Sequence, residues 1–473
     1  QYAVAALLYS FLTGAHYRDF SLEKDKMLRQ IAEEPPLPFA ERGTAPWPEV
    51  EAVLARALAK APEERFPSIA ALAEAFAGIE PPEAPAPRKA SSAADALLAR
   101  VLDRLRPDGA LFREGFPEAP KLSVNYGAAG AACAVYRVAM AREDAELLSL
   151  ADLWATKAVA GGAGDEGFYN PGRQLDPGSL GRVTPYHSPS GPRVAQALVA
   201  HALGDLNVQR RAVAGFLEAV AHPCPNPDLT LGRSGVLLAA SMLLDTLGTK
   251  EEELSKRLRE LGDGLLRGLW SEIGGQPPVL RAKGEWANLG MAHGWAGYLY
   301  ATLRWCRSAG TARPAGLEER LAELAGCARS WGRGLRWPWR DSGSGSHMPG
   351  WCNGSAGFVH LWTLASKELD DPAWMELAEG AAWNAWETPD RNASLCCGLA
   401  GRAYALLDLW QHGRGEVWLE RARDLAEAAA VEVARFAEAP DSLYKGQPGV
   451  AALLADLARP EQAAQPLFGD EGW

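Results

Sequence analysis

The sequence predicts an all-α protein whose larger part is an α/α toroid, a double ring of about seven helical hairpins. Three observations carry that prediction. A Gly-x-x-Gly pair opening an apolar run recurs from residue 120 onward, clear copies starting at Gly127, Gly232, Gly294, Gly354, Gly398 and Gly446. A seventh copy, SPSGPRVAQALVAHAL, keeps Gly191 but has Ser188 for the first glycine, and it falls inside the 105-residue gap between Gly127 and Gly232. The other intervals run from 44 to 62 residues, which is room for two helices and their connections. The runs behind the glycines are apolar all round, whereas LSKRLRELGDGLLRGLW, LEERLAELAGCARSWG and WLERARDLAEAAAVEVA carry charge on one face only. Helices apolar all round belong inside and amphipathic ones at a surface, so an inner ring of seven wrapped by an outer seven is the simplest packing.

The 473 residues are enough for two or three domains and a large core. PPEAPAPRKASS at 81–92 has a linker's composition, which divides the chain into residues 1–79, a linker at 80–93 and the toroid at 94–473. Upstream of it, YAVAALLYSFLTG, EVEAVLARALAK and PSIAALAEAFAG each have a helical apolar period. A net charge of −11 without a basic stripe excludes nucleic acid and anionic membrane as partners, and no apolar run is long enough to span a bilayer. Seven cysteines, two of them adjacent at Cys396 and Cys397, suit a reducing compartment, so a cytoplasmic location is expected. The N-terminal segment lacks an initiating Met and the features of a signal peptide, and the chain reads as starting inside a larger protein.

If the repeats are in register, the residues ahead of each Gly-x-x-Gly line one rim. Cys352 and Cys396 both stand two before their glycine, Cys397 and His293 one before, and Asp228 four before. Three thiols at helix starts would suit one zinc with an open fourth position, the mark of a catalytic site. Spacing alone leaves buried, unreactive packing equally open for these cysteines. For His293 it leaves capping or packing open, and for Asp228 a helix N-cap or turn acid. Cys133, Cys224, Cys306 and Cys327 lack the rim placement and are assigned to packing; His187 and His347 are further rim candidates. Trp337, Trp339 and Trp351 suit either a peptide-lining surface or the core.

The strings NLGMAHGWAG, PGWCNGSAG and SLCCGLAG resemble the signature loops of the lanthionine synthetase C-like family, over about residues 94 to 473. The resemblance implies a Zn2+ held by Cys352, Cys396 and Cys397, with His293 and Asp228 catalytic. The implied reaction is addition of cysteine thiols to dehydroalanine or dehydrobutyrine in a Ser/Thr/Cys-containing precursor peptide. Many members carry Cys-His-Gly where this chain has Cys-Cys-Gly, and three thiolates put more negative charge on the metal than two and an imidazole. Met348 stands where the family has arginine and Asn353 where it has an aromatic residue, which bears on cyclisation efficiency or substrate. Glutathione addition and a metal-free interaction domain are the alternative readings. Residues 1–79 resemble the final third of a bacterial serine/threonine protein kinase, without its Gly-rich loop, strand lysine, catalytic aspartate or DFG motif. The resemblance implies that Arg65 has lost its partner glutamate and that ATP enters only through a complete parent kinase.

Overall fold

The structure is a computed structural model. It describes residues 1–473 except 14–15, 19, 22–23, 43–45, 78, 80–89, 163, 174, 248–250, 341–346, 436–438 and 470–473. Most of the expected linker, and the SGSGS part of the loop before His347, lie outside the described residues. Counting helices of eight residues or more, the N-terminal part holds α1 (Tyr2–Thr13), α2 (Lys24–Glu33), α3 (Pro48–Ala57) and α4 (Ile69–Phe76). These pack a core of their own around Ala5, Tyr9, Phe39, Leu54 and Leu72. The sequence reading had a loop where α2 stands. Arg65 is used locally: it donates to the Ala59 and Lys60 carbonyls at the end of α3 and lies 5.0 Å from the Tyr2 ring.

The remaining helices alternate strictly. The inner set is α6 (Ala128–Arg142), α8 (Ser190–Leu203), α10 (Arg233–Thr246), α12 (Trp295–Ala309), α14 (Ser355–Leu369), α16 (Leu399–Gln411) and α18 (Gln447–Asp456). Each packs on the next, and α18 returns to α6, so the ring closes. The outer set is α5 (Ala90–Arg104), α7 (Ala145–Ala160), α9 (Leu206–Ala219), α11 (Glu252–Gly274), α13 (Leu317–Ala325), α15 (Pro372–Glu387) and α17 (Glu416–Val433). The toroid predicted from the repeats is the observed fold, with one refinement: the seventh outer helix is α5, which precedes the first inner helix and packs on α17 and α18. The LEERLAELAGCARSWG stretch is helical only to Ala325; beyond it Arg329–Trp331 pairs antiparallel with Gly334–Arg336 in a short hairpin. No described helix is long and apolar enough to cross a membrane.

The glycine pairs are required by close approach. A Cβ on Gly357 would lie 2.3 Å from the Trp351 carbonyl oxygen and one on Gly401 2.0 Å from that of Leu395. The contact is the same in both repeats, the carbonyl six residues back folding under the helix start. That fold turns one backbone edge of each rim loop toward its neighbour. Two residues before the first repeat position stand Asn125, Tyr186, Thr230, Ala292, Cys352, Cys396 and Tyr444, and hydrogen bonds run through them around the ring. Asn125 N–H donates to Tyr186 O, Thr230 to Ala292, Ala292 to Cys352, Cys352 to Cys396 and Cys396 to Tyr444, at 2.7–3.2 Å. Leu443 N–H donates to Asn125 O and the Thr184 hydroxyl to Thr230 O, completing the circuit. These groups would otherwise be unpaired backbone at the end of a barrel, so the circuit both satisfies them and fixes the register of the side chains beside them.

The ring's closing seam between α18 and α6 carries a buried ion pair. Arg137 donates to Asp456 at 2.9 Å and to the Gln462 carbonyl, and Tyr404 of α16 donates to the same carboxylate. Side-chain exposure is 6% and 1% for the pair, so removing one partner strands a charge out of water. Asp456→Ala is expected to cost about 3–5 kcal/mol, read as a lowered urea midpoint; an unchanged midpoint would mean that the seam is held by apolar packing alone. The ring's centre is filled by the C-terminal segment. Phe468 is fully buried, stacked on Tyr300 at 4.6 Å and edge-on to Trp351, while Tyr186, Tyr300 and Tyr444 donate to the carbonyls of Leu467, Phe468 and Pro466.

Candidate metal centre

The rim circuit explains why cysteines far apart in sequence meet. Cys352 and Cys396 are neighbours in it, bonded main chain to main chain at 3.0 Å. Their thiols converge with that of Cys397: Sγ of Cys397 lies 3.4 Å from both Cys352 and Cys396, and all three sulfurs lie within 4.8 Å of one another. Cys352 is buried and the other two are half-buried, so the cluster has an accessible side. Zinc bonds thiolates at about 2.3 Å in a tetrahedron, which sets sulfurs about 3.8 Å apart, and the two 3.4 Å separations, with all three sulfurs inside 4.8 Å, are close to that spacing. The donor set therefore fits the ion. Cys133, Cys224, Cys306 and Cys327 are not in disulfides and stand outside this group.

The next rim position, one before the repeat, carries the polar chemistry: Tyr126, His187, Leu231, His293, Asn353, Cys397 and Lys445. Serine four before the repeat pins this residue from below in three loops, Ser123 to Tyr126 N–H, Ser394 to Cys397 N–H and Ser442 to Lys445 N–H. Asp228 holds the same place in its loop. Its Oδ1 accepts from the N–H groups of Thr230 and Leu231 at 2.7 and 2.8 Å. Its Oδ2 is left to accept from His293 Nδ1 at 2.8 Å. Asp228 is thus a turn acid and not the helix N-cap, which is Gly232, and its turn and functional readings use different oxygens of one carboxylate. With Nδ1 committed to Asp228, His293 presents Nε2, and 37% of its side chain is accessible. Burial alone would pull its imidazole down, but the charge and hydrogen bond of Asp228 outweigh burial and raise it above the ordinary 6.5.

Lys445 was not singled out in the sequence. Its Nζ donates to Cys397 Sγ at 3.3 Å. Thiol contacts from Cys352 and Cys396, with help from Lys445, hold the Cys397 thiol well below its usual range. Cys352 is pushed well above it by the same contacts and burial; for Cys396 the contact with Cys352 pulls down, but Cys397 and burial prevail and push it up to about 11. Without a metal the cluster thus loses its first proton readily and the others reluctantly.

The other sequence candidates divide. His187 is buried, with desolvation first and then His293 lowering it to about 4, so it is neutral at physiological pH. His347 forms a bridge with Pro338 and is lowered by burial and the guanidiniums of Arg336 and Arg329. Trp337 stacks on Phe358 at 4.4 Å, and Trp351 packs on Tyr444 and Phe468, so both are core residues. Trp339 lies under the Arg340 guanidinium at 4.4 Å. Asn353, in the expected aromatic position, buries a side-chain oxygen that has no hydrogen-bond partner among the described residues.

Fold and site together define a helical toroid with a thiol cluster and a histidine–aspartate pair on one rim. The profile described as lanthionine synthetase C-like protein matches residues 189–468, and the chain belongs to that family. A curated relative, glutathione S-transferase LANCL1 of Danio rerio, is 24% identical over 262 residues, which are 51% of this chain and 61% of the relative's length. Among solved structures, nisin cyclase superposes with a TM-score of 0.56 at 12% identity, covering 78% of this chain and 94% of its own, and shares the fold.

Proposed function

We propose that residues 94–473 form a zinc-dependent, lanthionine cyclase-like enzyme that adds a cysteine thiol to dehydroalanine or dehydrobutyrine in a Ser/Thr/Cys-containing precursor peptide. The observation that carries this reading is the convergence of Cys352, Cys396 and Cys397 on the rim that also holds the His293–Asp228 pair. Zinc held by the three thiolates would supply an open position where an incoming thiol loses its proton. The sulfur forms its bond to the β-carbon, the double-bond electrons move toward the carbonyl as an enolate, and the α-carbon takes up a proton. His293, whose imidazole Asp228 holds above its ordinary value, would deliver that proton from Nε2, and Asp228 would orient the ring.

A second reading takes glutathione as the thiol, which the name of the Danio rerio relative favours. One assay separates the two: zinc-loaded protein is given a dehydroalanine peptide that carries a cysteine, with and without glutathione. Ring closure leaves the mass unchanged and removes the thiol's reaction with N-ethylmaleimide, whereas conjugation adds the mass of glutathione. Loss of neither the thiol nor the alkene sinks both. Residues 1–79 are proposed to be a kinase C-lobe piece, inactive by itself, with ATP relevant only to a complete parent kinase; of the linker expected at 80–93, residues 90–93 are instead the first turn of α5, and 80–89 are proposed as the linker.

A further inference from the structure

We infer that Lys445 is the counter-charge of the metal centre, offsetting the third thiolate so that a three-cysteine site binds zinc at the net charge of a two-cysteine, one-histidine site. The inference rests on the zinc reading above. Three thiolates around a divalent ion leave one net negative charge, and one ammonium beside them cancels it. Lys445 is built for that place. It stands at the rim position that His293 and Cys397 occupy in their repeats, its N–H is pinned by Ser442, and its Nζ reaches Cys397 Sγ at 3.3 Å. Among the described residues no carboxylate is found paired with it, and the Cys397 sulfur is the anionic group its Nζ touches. Cys397 is also the residue that replaces the histidine usual in the family resemblance, so extra charge and compensating charge meet at one atom. The consequence for chemistry is that an incoming substrate thiolate meets a neutral centre rather than an anionic one. Lys445 acts through a ligand and is therefore a positioning residue.

The test compares zinc affinity of the whole chain, by competition with a chromophoric chelator, in wild type, Lys445→Met, Lys445→Gln and Lys445→Arg. Alkylation of Cys397 by iodoacetamide in the zinc-loaded proteins is followed by mass spectrometry alongside. Loss of an outer partner typically weakens metal binding about 10–100-fold, and that loss is expected in the Met and Gln variants, with faster alkylation of Cys397. Arg restores most of the affinity. Gln keeps a donor to sulfur without the charge, so wild-type affinity in Gln overturns the inference, as does wild-type affinity in Met. Absence of zinc from the wild type overturns the zinc reading and this inference together.

Discussion

Cys352→Ala is expected to abolish zinc binding and, with it, thiol addition by about 10³-fold or more, since Lewis-acid activation supplies several kcal/mol of the barrier. Metal content by plasma mass spectrometry on protein purified without chelators reads the first effect: about one zinc per chain in wild type, none in Cys352→Ala or Cys396→Ala. The variant tests the site rather than the fold. What Cys352 contributes to the ring is main chain, its N–H to Cys396 and its carbonyl to Ala292, and alanine keeps both bonds. Cys133→Ala is the control, because that thiol is packed in the core and outside the cluster. Zinc retained in Cys352→Ala would show that the ion sits elsewhere; a zinc-free wild type would leave a folded toroid without the proposed chemistry.

The toroid was legible because its repeat is dictated by a steric need: a helix start folded over the carbonyl six residues back tolerates only glycine at Gly357 and Gly401, and similar need leaves a visible spacing. The same spacing placed Cys352, Cys396, Cys397, His293 and Asp228 on one rim, since counting back from the glycine gives the position in the circuit. Other features are not legible in the spacing, α2 and the 329–336 hairpin among them. The outer helix that completes the ring, α5, comes from before the first repeat, because pairing every glycine run with the stretch after it leaves α18 without a partner; the few residues after α18 are used to plug the centre instead. Lys445 is not legible because a lone lysine between Tyr444 and Gly446 belongs to no metal or catalytic pattern. Its rim position held the signal, yet only the side-chain geometry connects it to sulfur. Nor does a sequence indicate which oxygen of Asp228 caps the turn and which is free for His293.

His293→Asn is expected to lower kcat by about 10²–10⁴-fold, the usual worth of a positioned acid, while zinc content stays at the wild-type level. The pH dependence assigns the role. Asp228 raises the His293 imidazole above 6.5, so the protonated form persists further into the alkaline range than in a free histidine. A step that needs that proton is fast at low pH and falls as pH rises through the raised value, giving an alkaline limb in kcat. Asp228→Asn keeps an oxygen to accept from Thr230 and Leu231 but removes the charge, so the loop stands while the limb moves to lower pH. At neutral pH that variant is therefore slow, and it recovers toward wild type as the solution is acidified. The sign for stability is the same: a raised histidine contributes stability fully present below its unfolded value and lost as pH rises through the folded one. An Asp228→Asn limb unmoved from wild type would mean that the limb belongs to another group, and would reduce the pair to a turn acid and a packed ring.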